Sequence, residues 1–241
     1  MAAWTGAATV ILLGRFLLPC FNFDPVMALK TKPQAGAGRI FKNPVLEALT
    51  KTHIAIPLAL FWTAGAVTLW FSVAKLDIAW QTALVFFLGG MVLFSLVEYL
   101  MHRFLYHIPS DTPKGKRFQY VIHGIHHEHP RDKARLAMPP LLSIVLAVLF
   151  ISLFRFIIGP NGYAFGGGFL FGYSTYLLAH YAVHIFRQPK NFLGIIWKHH
   201  NLHHYVGDDG AFGVSSPFWD YIFGTMPLDP RRKEAAKVNT L

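Results

Sequence analysis

The sequence predicts an all-α integral membrane protein: a bundle of four transmembrane helices, arranged as two antiparallel hairpins, that carries a cytoplasmic histidine-rich helical cap. Three observations lead there. Apolar residues make up 54% of the 241-residue chain and charged residues only 14%, which excludes disorder and departs far from a soluble domain. Uncharged runs of about 20 residues recur, and that length crosses a hydrocarbon core ~30 Å thick. Twelve of the thirteen histidines lie between His102 and His204, so one part of the chain is set aside for imidazole chemistry.

Taken in order, residues 1–26 are the least regular stretch. Residues 7–23 are apolar but short, and are broken by Arg15 and Pro19, as expected of translated upstream sequence or a peripheral helix. A cleaved signal peptide would send the basic residues from Lys30 to Lys51 outward, against the positive-inside rule. The membrane domain is therefore expected to occupy residues 27–241, entered through a flexible lead-in at Pro33, Gly36 and Gly38. Residues 54–74, 78–97, 136–154 and 159–179 are the four candidate spans. The first two are joined tightly around Lys75 and Asp77, the last two through Gly159, Pro160, Asn161 and Gly162, so each pair reads as a hairpin with its tip on the same side. Nineteen Lys and Arg residues fall on the other side against Lys75 alone at the tips, while Arg155 sits where it can snorkel. That asymmetry puts both termini and the central loop in the cytoplasm. The net charge of +10 is thus spent on topology, and no nucleic-acid partner is expected.

The single cysteine, Cys20, excludes a disulfide framework, a Cys-ligated zinc or iron–sulfur site and a C-x-x-C-H haem attachment. Any metal must be held by nitrogen or oxygen. Apart from His53 and two outliers, the histidines form four clusters: His102 and His107; His123, His126 and His127; His180 and His184; His200, His203 and His204. All four emerge on the predicted cytoplasmic side. Residues at i, i+3 and i+4 share a helix face about 5–6 Å apart at Cβ, a distance that two ligands of one metal can bridge. The five-residue interval between His102 and His107 fails this test, turning about 140° out of alignment at 3.6 residues per turn, so the helix is expected to distort or end there. His53 alone reads as structural. Ten imidazoles buried without a ligand would leave donors unpaired and repel on protonation. They are too many for one ion and suit two, each with about five nitrogens. Ligand type leaves zinc, copper, iron and nickel open.

The strings EYLMHRFLYH (98–107), HGIHHEHPRDKARLAMPP (123–140), HYAVH (180–184), HNLHH (200–204) and the tail GAFGVSSPFWDYIFGT (210–225) together resemble the fatty acid hydroxylase and sterol desaturase superfamily of membrane di-metal enzymes, most nearly its fatty acid 2-hydroxylase branch. The resemblance implies two iron ions and an O2-dependent insertion of a hydroxyl group at C2 of a long acyl chain, free or within a sphingolipid. By motif position it implies His102, His107, His123, His126, His127, His180, His184, His200, His203 and His204 as the metal ligands, with none of them a general acid or base. His129 and His199 stay outside that set. Asp132 and Arg135 are expected to orient ligand imidazoles or a lipid head group, or to form an interfacial salt bridge. Asp220 with Trp219 is expected to close the C-terminal segment over the cap. Relatives often carry Asp where this chain has Leu177, three residues before His180. No His-Pro-Gly-Gly haem-domain motif and no Gly-x-Gly-x-x-Gly fingerprint occur in the sequence, so electrons are expected from a separate carrier protein and reductase, docked on the basic cap, which also suits anionic lipid. Zinc can replace iron at the same nitrogens in purified protein.

Phe165, Phe169, Tyr173 and Tyr176 are expected to line an acyl slot, and Gly166, Gly167, Gly168 and Gly172 to allow close helix packing. Three other readings share parts of this pattern: a sterol-type desaturase or carotenoid hydroxylase with the same boxes, a bis-histidine haem protein, and a metal transporter or sensor. The transporter reading calls for ligating residues along the bilayer midplane, and the four spans carry none near their centres.

Overall fold

The computed structural model describes residues 34, 36–207 and 209–227. The segment 1–26 and the basic residues from Arg231 to Lys237 lie outside these. Asn43 accepts hydrogen bonds from the amides of Val45 and Leu46 and, with Pro44 at the first helical position, starts α1 (Pro44–Leu49), a cap and a proline placed where a helix start needs them. His53 accepts a bond from the Ala55 amide at the head of α2 (Ala55–Ala74), as a structural residue would. The helices α3 (Trp80–Met101), α4 (Pro113–Gln119), α5 (Ile125–Glu128), α6 (Pro140–Ile158), α7 (Gly162–Ile185), α8 (Gly194–Tyr205) and α9 (Phe218–Phe223) follow.

Three helical stretches are long and apolar enough to cross a membrane: Ala55–Ala74, Trp80–Tyr106 and Pro140–Ile185. The third counts 46 residues, which as a straight helix would reach about 69 Å at 1.5 Å per residue, more than twice the ~30 Å core. It is not straight. Gly159, at φ +64°, and a short 3-10 turn reverse the chain, so that Gly162 and Gly166 of α7 lie against Phe154 and Ile151 of α6.

The first expected hairpin takes a different form. α2 and α3, consecutive in sequence, touch far less than either touches α7, which runs between them and α6 as the central helix. Glycine makes this possible: a Cβ on Gly168 would overlap the Phe87 carbonyl of α3, and one on Gly167 would overlap the Thr68 hydroxyl of α2. The backbones therefore meet where side chains would hold them apart. The burial pattern follows. α7 is buried along most of its length, while α2, α3 and α6 point Trp62, Trp70, Val85, Val92, Val148 and Phe156 outward, an apolar exterior of the kind that lipid solvates.

Candidate metal centre

The last turn of the second span is not α-helical. A π-helical turn over His102–Tyr106 continues α3, and since a π-helix is wider and bonds i to i+5, it turns less per residue than an α-helix and the interval that misaligned His102 and His107 there brings their rings to 5.1 Å between centroids. A second π turn, Tyr120–Gly124, leads into α5 and presents His123, His126 and His127. α7 brings His180 and His184 on its last two turns, and α8 brings His200 and His204 to face them and turns His203 toward His102.

The ten imidazoles gather into two groups of five. His102, His107, His123, His127 and His203 form one; His126, His180, His184, His200 and His204 form the other; in each, the ligating atoms lie within 4.8 Å of one another. Helical geometry explains the partition. At 100° per residue, i and i+4 are separated by about 40°, while i+3 and i+4 are separated by about 100°. So the i, i+4 pairs His123/His127, His180/His184 and His200/His204 each stay together, and the i+3 residues His126 and His203 cross to the opposite group. Two boxes thus contribute to both groups.

The contacts within each group fit a metal. In the first, Nε2 of His123 is 3.2 Å from Nε2 of His102 and 2.8 Å from Nε2 of His127. In the second, an Nε2 chain runs His204 to His126 at 3.1 Å, His126 to His180 at 2.9 Å, His180 to His184 at 3.2 Å and His184 to His200 at 2.9 Å. Nitrogens about 2.0–2.1 Å from one ion and roughly 90–110° apart would be separated by roughly 2.8–3.4 Å. Burial, reinforced by neighbouring imidazoles, holds His123, His126, His127, His200 and His204 well below the ordinary histidine range, and burial lowers His107 to about 4. These rings are neutral at pH 7, with a lone pair to offer.

At two members of the first group the protein fixes which nitrogen carries the proton. His102 donates from Nδ1 to the Phe212 carbonyl at 2.6 Å, and His203 donates from Nδ1 to the Gly210 carbonyl at 2.9 Å, which leaves Nε2 free to ligate. The loop supplying these carbonyls is itself held by carboxylates. Asp220 accepts the amides of Phe212 and Gly213 at 2.9 and 2.7 Å, and Glu98 accepts those of Val214 and Ser215 at 2.7 and 2.8 Å. Burial works to raise Asp220, but hydrogen bonds from His199, Thr225 and the two amides outweigh it and hold the carboxyl below its ordinary range.

His199, 3.0 Å from Asp220, and His129, close to Gly38 and Glu128, both lie outside the two groups, as expected. Asp132 and Arg135 touch no imidazole of either group. Arg135 pairs with Glu47 and Asp132 and donates to Thr50 and the Gly38 carbonyl, so the pair fastens α1 and its lead-in to the cap as a salt bridge. Of the roles expected for the pair, the salt bridge is the one these contacts form. The sequence reading gave Glu98 no role, although it is the one carboxylate within the three apolar stretches, and an isolated charge there demands partners.

Below the histidines lies a cavity of about 210 Å³ lined by Phe61, Phe94, Phe150, Phe169, Tyr173 and Tyr176 among others, with Glu98, His102 and Tyr106 at its polar end. Tyr106 stacks on His123 of the first group at 4.9 Å and Tyr176 on His180 of the second at 5.4 Å. Three of the four residues predicted for the slot line it. Phe165 instead packs edge-on against Phe154, 4.8 Å away, because it lies one turn of α7 farther from the histidine end of that helix than Phe169. Leu177 is buried in the apolar core.

Residues 87–225 match the fatty acid hydroxylase family. The chain is 37% identical over 214 residues to the ceramide very long chain fatty acid hydroxylase scs7 of Schizosaccharomyces pombe, covering 86% of this chain and 59% of that protein. It is 36% identical over 149 residues to the dihydroceramide fatty acyl 2-hydroxylase FAH1 of Arabidopsis thaliana, covering 60% of this chain and 62% of that one. It thus spans about three fifths of the length of these curated relatives. Among solved structures, the visible hydroxylase domain of full-length scs7p superposes with a TM-score of 0.74 at 32% identity, covering 83% of this chain and 77% of that one.

Proposed function

This chain belongs to the fatty acid hydroxylase family, and on that premise we propose that it uses O2 and two iron ions to hydroxylate C2 of a long-chain fatty acyl group, free or N-linked in a sphingolipid. The observation that carries this reading is the juxtaposition of two five-imidazole groups with an aromatic-lined cavity. The relatives named above as ceramide and dihydroceramide hydroxylases support the acyl substrate.

In this reading the ten histidines named in the two groups hold the metals, and bound iron supplies the electrons and the Lewis acidity to activate dioxygen toward an unactivated C–H bond. The cavity does the rest. Its phenyl and aliphatic walls take the acyl chain and exclude water, and the stacked rings of Tyr106 and Tyr176 set how near the chain approaches each group. The backbone carbonyls of Phe212 and Gly210 keep the Nδ1 protons in place. α2, α3, α6 and α7 are the four spans, and the nineteen-to-one distribution of basic residues supports placing the termini and the metal groups on the cytoplasmic side. There a separate electron-carrier protein and its reductase deliver electrons. Residues 27–241 form the hydroxylase domain.

The test is mass spectrometry of hydrolysed acyl chains from cells expressing the chain, beside cells expressing His126→Ala. A rise in 2-hydroxy acids that disappears in the variant is the expected result. Absence of any oxygenated acyl chain, with iron, ceramide and a reductase supplied, overturns the assignment, and unsaturated or hydroxylated isoprenoid products would move it to the desaturase or carotenoid hydroxylase class.

A further inference from the structure

The two histidine groups have matched ligand counts but unmatched surroundings. Four consecutive amides, those of Phe212, Gly213, Val214 and Ser215, donate to two buried carboxylates, Asp220 and Glu98. Asp220 is 0% exposed and also accepts from Thr225 Oγ1 at 2.7 Å and from His199 Nε2 at 3.0 Å. Just ahead, the Ala211 amide donates to the Thr225 carbonyl at 2.9 Å, and Ala211 sits at φ +58° with no exposure. The loop is therefore fixed at every residue from 211 to 215.

All that this fixed loop touches among the ligands belongs to one group. Its carbonyls take the Nδ1 protons of His102 and His203, and the Phe212 ring packs 5.9 Å from each of His102, His107 and His203. The second group has no such support among the described residues. Among the described residues no hydrogen bond engages Nδ1 of His126, His180, His184, His200 or His204, and Nδ1 of His200 and of His204 is buried without a partner. A ligand imidazole whose other nitrogen donates to an acceptor is fixed in tautomer and orientation and is a stronger base, and losing such a partner costs about 10–100-fold in metal affinity.

We infer that the two metal positions are unequal by construction, that Asp220 is the positioning residue for the group of His102, His107, His123, His127 and His203, and that the other group holds the labile metal. This rests on the reading that both groups hold a metal ion. The Asp220 carboxylate acts through the loop and touches no ligand itself.

Zinc-loaded protein in detergent micelles, challenged with excess chelator while bound zinc is counted by mass spectrometry, tests this without reference to turnover. Two zinc ions per chain are expected, leaving in two phases whose rates differ about 10–100-fold. The slow phase should vanish in His102→Ala/His203→Ala and the fast one in His200→Ala/His204→Ala. Asp220→Asn should quicken the slow phase toward the fast one and leave the fast one unchanged. Thr225→Val, which removes a single hydroxyl donor to the same carboxylate, should do so in smaller measure and guards against a misfolded Asp220 variant. Fewer than two zinc ions in the unaltered protein would overturn the two-metal reading itself. Two ions released at one rate, a fast phase assigned to the His102/His203 group, or variants at Asp220 and Thr225 that leave the slow phase unchanged would overturn this inference alone.

Discussion

The bundle and the cap of this protein bury their interiors by opposite means. In the bundle, contact is won by taking atoms away: Gly168 and Gly167 let α7 lie against the backbone of α3 and the Thr68 hydroxyl of α2, and aromatic edges such as Phe94 on Phe169 at 5.2 Å fill what remains. In the cap, order comes from polar groups reaching far along the sequence, as Glu98 does to Ser215 and His102 to Phe212. The difference teaches where each half is vulnerable. A bundle closed by the absence of side chains fails when bulk is added, whereas a cap closed by polar partners fails when one is removed.

Substitutions that respect or cross this division can break it. The largest expected effect is that of Gly168→Leu, since its neighbour is the Phe87 backbone, which cannot rotate away. Overpacking a tight core typically costs about 1–3 kcal/mol and here should meet or exceed that range. Gel filtration of detergent-solubilised protein should show loss of the monodisperse species; a well-behaved variant would mean that the helices slide apart freely. Next comes His180→Ala/His184→Ala, which is expected to abolish hydroxylated product and halve bound metal while leaving the gel-filtration profile intact. A collapse of the fold would instead show that the cap holds the bundle together.

A third variant, Leu146→Trp, adds bulk from α6 to the wall of the cavity. It should shift the products toward shorter acyl chains with unchanged metal content, by roughly fourfold per excluded methylene at about 0.8 kcal/mol each. Identical chain-length profiles would place the acyl chain elsewhere. The smallest effect belongs to Arg135→Ala. It loosens α1 from the cap by removing one partner each of Glu47 and Thr50, so protease should cut near residues 39–50 faster, while metal content and product remain within about twofold. A large loss of metal would restore the ligand-orienting role that the contacts argue against.

Much of the site is legible without coordinates because imidazole spacing is a local property. The clusters around His123, His180 and His200 can be read from helical periodicity, and the awkward interval from His102 to His107 signals a departure from the α-helix, which the π turn supplies. Which group each histidine joins is less accessible. His126 and His203 leave their own box-mates, a choice that depends on which faces of α5 and α8 are turned toward one another. Glu98 carries its own signal, a lone carboxylate in an apolar run, but its partners lie 116 and 117 residues away. Phe165 shows the converse, an aromatic residue on the right helix facing the wrong neighbour.

By itself the sequence determined the membrane character, the expected spans, the basic asymmetry and the four histidine clusters. Each is fixed by composition or by spacing within about 20 residues, the reach of a single helix. Only the tertiary structure decided that α7 is central, which five imidazoles make up each group, and that one group alone leans on a loop held by Asp220 and Glu98. Those outcomes turn on contacts between segments about 100 residues apart, and there the packing of whole helices, rather than the preference of any residue, selects the partner.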